Sequence, residues 1–368
     1  MRELLPTIEA WTAEGQGVSR AVVIRTFGSS PRREGATMLR GEDGRISGSV
    51  SGGCVEGATA EFMEAAAVSG LQQVVRFGIS DSEAWDVGLA CGGTIDVLVQ
   101  PAVPLAALEA VRASHHDRHA GRALATVLPA GSPGADIGAS ELGPPAPPAP
   151  PLVIHADGSL QGSLGDAGRD AALVEAASSA ISSGTSAIVE LAGQQVFIEA
   201  FPVRPRLVVV GAVEVAVALL ALGHGLGYET VLIDGRAAFA TRERFPDVDQ
   251  LVIGWPDEVA DEVELGPGDA VAVLSHDPKF DDPAITAALE RECRYVGAIG
   301  SRKTQRARRE RLLAAGLSVE QLAHLRGPIG LDLGGREPAE TALAIMSEIV
   351  AARHGASGGS LAEKPARR

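Results

Sequence analysis

Short apolar runs alternate with amphipathic stretches over the C-terminal half of the chain, starting at the β-branched run 206–210. Further apolar runs, which predict strands, occupy residues 231–234, 251–253, 270–274 and 295–299. The stretches between them have helical patterns, and longer helices are predicted over 302–315 and 338–353. Strands that alternate with helices form parallel sheets, so we expect a Rossmann-like, doubly wound α/β domain over residues 204–354.

Residues 1–203 have a different pattern, which predicts an α+β domain with an internal repeat. The segments that resemble each other are 20–24 and 122–126, 28–31 and 131–133, and 43–50 and 157–164. In each copy an Ala/Glu-rich helix and a terminal strand follow, the strand lying at 94–99 or at 195–200. Chance similarity between short glycine-rich hairpins is the alternative interpretation.

The two copies differ where a thiol stands. The first copy has Ser51-Gly52-Gly53-Cys54, whereas the second has Gly165-Asp166-Ala167-Gly168, so any thiol chemistry would belong to the first copy. The proline-rich stretch 143–151 falls between the copies and predicts an exposed polyproline-type loop. The Gly/Ser/Lys/Arg-rich tail, residues 355–368, is expected to be disordered.

Charge and length exclude several classes of function. The chain has 368 residues and a net charge of −15, which argues against binding to nucleic acid or to an anionic membrane surface. No apolar run approaches the roughly 20 residues of a membrane span. Three cysteines without framework spacing fit a reducing cytoplasm, which is the location we expect.

Cys54 and Cys91 both lie beside paired glycines, Gly52-Gly53 and Gly92-Gly93, and are the candidate reactive thiols. Backbone amides of such turns, Ser51 included, can form a nest for an anion, and a nearby thiol can act as a nucleophile or a soft ligand. Glu56, in the first helical turn, favours the helix dipole but opposes an anion. The alternative is that both thiols are buried fillers. The sequence has neither a CxxC pair nor a nearby pair of histidines, the usual signs of a zinc site. We therefore expect no metal held directly by the protein.

Two arginines, Arg32 and Arg33, stand in the loop that follows the first predicted strand of an otherwise acidic chain. A guanidinium offers a bidentate fork to phosphate or carboxylate, so both are candidate cofactor-binding residues. A merely solvated turn is the competing interpretation.

The start of the second domain, Gly211-Ala212-Val213-Glu214-Val215-Ala216, stands where a dinucleotide fingerprint would lie. Gly211 fits the tight turn, and Asp234 ends the second strand, where an acidic residue would bind a ribose. Val213 replaces the middle glycine and Glu214 adds a negative charge, and both oppose pyrophosphate. We therefore expect a Rossmann scaffold whose nucleotide site is altered or lost.

Other candidates follow later strands of the same predicted sheet. His276 follows the fourth strand, where ligands of open α/β sheets bind, although a plain strand-end cap is equally compatible. Gly300, Ser301 and Arg302 follow the fifth strand, with Ser301 as the expected N-cap, and could hold an anion. The glycine-rich loop 327–335 could line the same crevice.

Several of these motifs, taken in order, resemble the xanthine dehydrogenase accessory family of the XdhC/CoxI type. The matching segments are GSSPRREGATM (28–38), SGGCVE (51–56), WDVGLACGGTIDV (85–97), LSHDPKFDDPA (274–284), YVGAIGSRKT (295–304) and GPIGLDLGGREPAE (327–340). The resemblance implies a cytoplasmic maturation factor. Such a protein binds the molybdenum cofactor (molybdopterin), assists its sulfuration with a cysteine desulfurase, and delivers it to a molybdenum hydroxylase apo-enzyme. Xanthine dehydrogenase and carbon monoxide dehydrogenase are typical clients.

The chain departs from the family at the Rossmann turn, where family members commonly carry GAGHVA. That departure puts a nucleotide function of the second domain in doubt but leaves Cys54 and Cys91 untouched. Two alternatives stay open: an NAD(P)-dependent oxidoreductase that uses Asp234 and His276, and a sulfurtransferase with a persulfide on Cys54. A non-enzymatic factor is the favoured interpretation, and a homodimer is the expected assembly.

Overall fold

A computed structural model describes residues 1–30, 32–78, 93–116, 121–129 and 144–363. The chain divides into two compact units, Met1–Val203 and Arg204–Arg368. Within the described ranges, no helix combines the length and the apolar character that crossing a membrane requires.

The first unit consists of two antiparallel sheets with helices packed on them. Its elements are α1 (Leu5–Ala13), β1 (Val18–Phe27), β2 (Thr37–Gly41), β3 (Ile46–Gly48), α2 (Glu56–Ser69), β4 (Gln73–Phe77), β5 (Thr94–Gln100), α3 (Leu105–His116), β6 (Arg122–Val127), β7 (Leu152–His155), β8 (Leu160–Gln161), α4 (Ala167–Ser183), β9 (Ala187–Leu191) and β10 (Gln194–Phe201), with a 3-10 turn at Arg2–Leu4. The predicted α+β class of this part of the chain is confirmed.

The two sheets have the same strand order, β3-β2-β1-β5-β4 and β8-β7-β6-β10-β9. In each copy the helix, α2 or α4, connects the third strand to the fourth. The internal repeat predicted from the sequence is therefore present as a repeat of topology. Of the segments that suggested it, residues 131–133 lie outside the described part of the chain.

Alternation along β1 explains how the layers pack. Ala21 and Val23 join the cluster that includes Met63 of α2, whereas Val22 and Ile24 join Phe197 of β10. Successive side chains of a strand point to opposite faces, so one face of this sheet meets its helix and the other meets the second sheet. A corresponding cluster joins the second sheet to α4. The first unit is thus a four-layer αββα sandwich.

The second unit is a six-stranded parallel sheet with helices, as predicted. Its elements are β11 (Arg206–Val210), α5 (Glu214–Gly225), β12 (Glu229–Ile233), β13 (Gln250–Val252), α6 (Pro256–Val259), β14 (Asp269–Val273), α7 (Pro278–Glu290), β15 (Tyr295–Ala298), α8 (Arg302–Ala314), α9 (Val319–Ala323), β16 (Leu325–Arg326) and α10 (Pro338–Arg353). The order is β13-β12-β11-β14-β15-β16, so the chain changes direction across the sheet at β11. Ligands of such sheets bind at the carboxyl edge beside this switch point.

The proline-rich loop and the tail are only partly described. Residues 144–150 are exposed apart from Ala146, whose backbone forms an isolated β-bridge with Gln72. The described part of the tail ends in a 3-10 turn at Leu361–Glu363, and residues 364–368 lie outside the described residues. Disorder over 355–368 stays a prediction.

Candidate functional site

Three of the segments singled out in the sequence are attached to strands at one edge of the first sheet. β1 ends at Phe27, which pairs with Thr94 at the start of β5, and β3 ends at Gly48, which pairs with Met38 near the start of β2. The arginine loop, the thiol turn and Gly93 are attached to these strand ends. A Cβ added to Gly93 would lie 2.7 Å from the carbonyl oxygen of Ser29, so the close approach of this loop requires glycine.

The thiol turn is open to solvent. Gly52 and Gly53 have φ values of 88° and 117°, which L side chains rarely adopt. A Cβ on either residue would have no atom within 4 Å, so nothing in the described structure covers the turn. Cys54 is exposed, and its backbone amide donates a 2.9 Å hydrogen bond to the buried Oγ of Ser51. The filler interpretation therefore does not apply to Cys54.

The anion nest expected at this turn holds a group of the chain itself, the Glu56 carboxylate. Its Oε1 accepts hydrogen bonds from the amides of Ser51 and Gly52 at 2.9 and 3.0 Å, and its Oε2 accepts one from Gly53 at 2.8 Å. The hydroxyls of Ser49 and Ser51 each donate at 2.6 Å. A phosphate cannot use these amides in this arrangement, and the expectation that they bind an external anion is corrected accordingly.

The same contacts keep Glu56 ionised. Partial burial alone would raise the pKa of Glu56, but hydrogen bonds from Ser49 and Ser51 outweigh it and lower the pKa to about 2. Donors that favour the charged form of a carboxylate stabilise the fold wherever that form is populated. A fixed negative charge thus stabilises the conformation of the turn.

The second copy has the same device without the thiol. Asp170, like Glu56, lies seven residues after a serine, and accepts hydrogen bonds of 2.7 Å from the Ser163 hydroxyl and the Leu164 amide. Those bonds, the amide first, lower the pKa of Asp170. Because the carboxylate anchor recurs in both copies, it is a structural device. Cys54, whose counterpart is Gly168, is what distinguishes the first copy.

Arg32 and Arg33 are exposed, and neither has an ion pair with a described residue. Ser30 donates a 2.8 Å hydrogen bond to the carbonyl oxygen of Arg32, which orders the loop backbone. Both guanidinium groups are therefore available to an anion. Cys91 and Gly92 lie outside the described residues.

The Rossmann turn is built as the sequence suggests. Gly211 has a φ of 110°, and a Cβ there would lie 3.0 Å from the amide nitrogen of Ser275. Val213 is the N-cap residue of α5, and Glu214 beside it has a side chain 74% exposed and 3.7 Å from Arg244. The features that oppose pyrophosphate are thus present at the helix N-terminus.

Asp234 does not have the role expected of a ribose-binding acid. It is completely buried, and its Oδ2 accepts hydrogen bonds of 2.7 Å from the Ala212 amide and from Arg236 Nη2. Its Oδ1 accepts two more from Arg236, from the amide and from Nε, both at 2.9 Å. Burial alone would raise the pKa of Asp234, but these bonds lower it. The carboxylate joins two loops instead of facing a ligand.

The remaining candidates lie at the carboxyl edge of the same sheet. His276 and Arg302 face solvent, and Ser301 caps α8 by accepting a hydrogen bond from the Thr304 amide. Gly300 adopts a φ of 131° before that cap. These residues follow β14 and β15, which are neighbours, so the topology brings them to one edge as predicted.

Sequence reasoning missed the buried network beneath this edge. Asp281 accepts hydrogen bonds from the Ser275 hydroxyl at 2.7 Å and from Arg308 at 2.6 Å, and both charged side chains are buried. Gln305 donates to the carbonyl oxygen of Ala298 at 2.9 Å. Polar residues inside helices carry no local signal for such pairing, although Asp281 interrupts the apolar buried face of α7.

No cluster of three or more His, Cys, Asp or Glu side chains suited to a metal ion occurs among the residues for which the structure gives positions. Cys293, the other described thiol, is buried, and burial raises its pKa to about 12. Cys54 is therefore the described thiol that can meet a ligand.

Comparisons with known proteins agree with these two units. Residues 11–78 match the model of the XdhC and CoxI family, and residues 207–349 match that of the XdhC Rossmann domain. The chain thus contains an XdhC and CoxI family domain followed by an XdhC Rossmann domain. The first match contains both the arginine loop and the thiol turn. The second contains the whole carboxyl edge of the parallel sheet.

Two relatives that align over most of their length have names that refer to xanthine dehydrogenase or to the molybdenum cofactor. A Bacillus subtilis (strain 168) protein named as a probable xanthine dehydrogenase subunit is 25% identical over 90% of this chain and 92% of its own. An Escherichia coli (strain K12) protein named molybdenum cofactor insertion chaperone PaoD is 26% identical over 92% of this chain and 84% of its own. A crystal structure of a Bacillus halodurans protein, described as a xanthine dehydrogenase, superposes with a TM-score of 0.72 at 23% identity over 98% of both chains. That superposition shows the shared fold.

Proposed function

We propose that this chain is an accessory protein of molybdenum hydroxylase maturation. In this proposal it binds the molybdenum cofactor, assists its sulfuration with a cysteine desulfurase, and delivers it to an apo-enzyme such as xanthine dehydrogenase or carbon monoxide dehydrogenase. It would act in the cytoplasm as a non-enzymatic factor, and as a homodimer. The names of the Bacillus subtilis and Escherichia coli relatives support the general role.

The observation that carries the proposal is the exposed thiol of Cys54 on an uncovered glycine turn. The same sheet edge carries two exposed guanidinium groups, Arg32 and Arg33, without ion pairs to described residues. A thiol suits sulfur handling, and arginine suits a phosphate. Cys91 and Gly92 remain part of the proposed site on sequence grounds.

The donor set of this edge fits the cofactor in part. When bound, molybdopterin supplies a terminal phosphate, dithiolene sulfurs and a molybdenum–oxo centre. Arg32 and Arg33 would hold the anionic groups, and the open space above Gly52 and Gly53 would admit the ligand to the thiol. The turn amides would not contribute, because Glu56 already occupies them.

Two other functions receive less support. An NAD(P)-dependent oxidoreductase would need a clear pyrophosphate turn and an accessible ribose acid, but Val213 and Glu214 stand at the turn and Asp234 is buried. A sulfurtransferase with a persulfide on Cys54 would use the same exposed thiol. The mass-spectrometry experiment described below distinguishes it from a chaperone.

The test is binding of molybdopterin to the full chain and to Cys54→Ala, Cys91→Ala and Cys293→Ala. Cys293→Ala is the matched control, because it removes a thiol that is buried. We expect Cys54→Ala, and not the control, to weaken binding and to impair activation of the client enzyme. Arg32→Gln with Arg33→Gln should weaken binding further.

Two outcomes would overturn the proposal: no binding by folded wild-type protein, or normal client maturation by both Cys54→Ala and Cys91→Ala. Incubation with a cysteine desulfurase and cysteine, followed by mass spectrometry, tests the sulfurtransferase alternative. A single added sulfur on Cys54 that is transferred without any cofactor binding would favour that alternative.

A further inference from the structure

The two exposed aromatic side chains of the described residues follow neighbouring strands at the carboxyl edge of the parallel sheet. Phe239 is 47% exposed and follows β12, and Trp255 is 43% exposed and follows β13, the next strand in the sheet. Aromatics make up only 4% of the chain, and the other aromatic rings in the described ranges are buried or half-buried. An exposed pair at a sheet's ligand-binding edge indicates a contact surface.

A fixed cation lies over one of these two rings. The Arg236 guanidinium lies over the Phe239 ring, with Cζ 4.5 Å from the ring centroid, and its side chain is 51% exposed. Asp234 holds its Nε and Nη2 at 2.9 and 2.7 Å. The direction of this guanidinium is therefore set before any ligand arrives, and the carboxylate that sets it is buried.

Packing ties Trp255 to the same loop. A Cβ on Gly235 would lie 3.1 Å from Phe280, and the Phe280 ring centroid lies 5.0 Å from that of Trp255. Phe280 thus supports both the Arg236 loop and the tryptophan. Ile253, 54% exposed, stands two residues before Trp255 and extends the apolar surface.

We propose that Arg236, Phe239 and Trp255 form a binding site for a phosphorylated planar heterocycle, such as a nucleoside monophosphate or a pterin phosphate. The rings would stack on the heterocycle, and the outward side of the guanidinium would meet the phosphate. The ligand carries a single phosphate group in this assignment, because Val213 and Glu214 obstruct the pyrophosphate position.

This site uses neither Cys54 nor the arginine loop; its nucleotide arm is independent of the proposed function, whereas its pterin arm rests on it. The experiment is isothermal titration calorimetry of the full chain with adenosine, cytidine and guanosine 5′-monophosphates, with a pterin monophosphate, and with inorganic phosphate. The nucleotide and pterin arms distinguish the two sources of the heterocycle. Cys54→Ala should bind the nucleotides as wild type does, so failure here and failure of the cofactor hypothesis are separable.

The variants are Trp255→Ala, Phe239→Ala and Arg236→Lys, with Leu313→Ala on α8 as the control for loss of an exposed apolar side chain. We expect each aromatic truncation to weaken binding by about tenfold, Trp255→Phe to retain it, and Leu313→Ala to leave it unchanged. Arg236→Lys keeps a positive charge beside Asp234 but loses the planar guanidinium, whose outward N–H groups would meet the phosphate. Binding should therefore weaken.

Three results would overturn the assignment. They are no binding of any heterocyclic phosphate, binding that both truncations leave intact, and inorganic phosphate bound as tightly as the nucleotides. Loss of association with a protein partner in the truncated variants, without nucleotide binding by wild type, would identify a docking surface instead and would also overturn it.

Discussion

Glu56 and Asp170 have equivalent positions in the two copies of the repeat, and each folds its carboxylate back onto the turn that precedes its helix. Glu56 accepts from Ser49 at 2.6 Å, and Asp170 accepts from Ser163 at 2.7 Å. The shared geometry divides the residues of the turn into two groups: those that the fold of the turn requires and those that it does not require. Cys54 belongs to the second group, because the second copy keeps the bond between serine and carboxylate although Gly168, in the first turn of α4, stands in place of the cysteine.

Replacement of Glu56 by Gln should destabilise the protein in a pH-dependent way. The pKa of Glu56 is about 2 in the folded protein and near its ordinary value when unfolded. Its stabilisation is therefore complete above pH ~4.5 and is lost as the pH falls towards 2. We expect Glu56→Gln to lower the free energy of unfolding at pH 7 by about 1–2 kcal/mol, discounted for solvent exposure.

Urea unfolding of wild type and Glu56→Gln between pH 7 and pH 2.5 measures this difference. The difference in the free energy of unfolding between the two proteins should become smaller as the pH falls below 4.5. Asp170→Asn is the matched variant in the second copy and should lose stability with the same sign. A gap that is constant with pH would contradict the assigned ionisation of Glu56.

Ser51 should control the position of the thiol without touching a ligand. Its buried Oγ accepts hydrogen bonds from the amides of Cys54 and Val55 at 2.9 and 3.1 Å and donates to Glu56. Ser51→Ala removes all three contacts and should cost about 1–3 kcal/mol of stability. Because those contacts fix the backbone at Cys54, Ser51→Ala should also change the alkylation rate of Cys54. Ser163→Ala in the second copy should cost stability and leave that rate unaltered.

Thiol reactivity should separate Cys54 from Cys293 by orders of magnitude. Burial raises the pKa of Cys293 to about 12, so little thiolate forms there below pH 10, and reagents cannot reach it. In a Cys91→Ser background, iodoacetamide followed by peptide mass mapping should label Cys54 first under native conditions. Equal labelling in native protein would contradict the burial of Cys293, and labelling of both in urea is the control.

The elements of the parallel sheet were predictable because both faces of its strands are apolar. The predicted runs at 270–274 and 295–299 correspond to β14 and β15 within one residue, and α10 begins and ends where Pro338 and Arg353 indicate. Strand β16, with two residues, is too short for any pattern.

The candidate site was predictable only in part, because tertiary contacts decide which groups are available. Glycines beside Cys54 indicate a turn, but nothing local says that Glu56 fills it. Asp234 follows a strand as a ribose-binding acid would, and yet Arg236 two residues later draws its carboxylate inward. The exposed aromatics, Phe239 and Trp255, had no periodic signal and were identified by their exposure alone.

Loss of one partner of the buried pair Asp281–Arg308 should strongly destabilise the second unit. Burial raises the pKa of Asp281, with the Ser275 and Arg308 contacts opposing that effect, and Arg308 Nε has no hydrogen-bond partner among the described groups. Arg308→Met leaves a buried carboxylate without its cation and should cost about 3–5 kcal/mol. Asp281→Leu with Arg308→Met removes both charges and should recover much of that loss, because the unpaired carboxylate is gone.

Thermal unfolding of the two variants measures the difference in stability. Asp282→Ala, which breaks the exposed pair with Arg311, is the control and should lose less than about 1 kcal/mol. A double variant no more stable than Arg308→Met would contradict the view that the lost stability comes from the uncompensated charge.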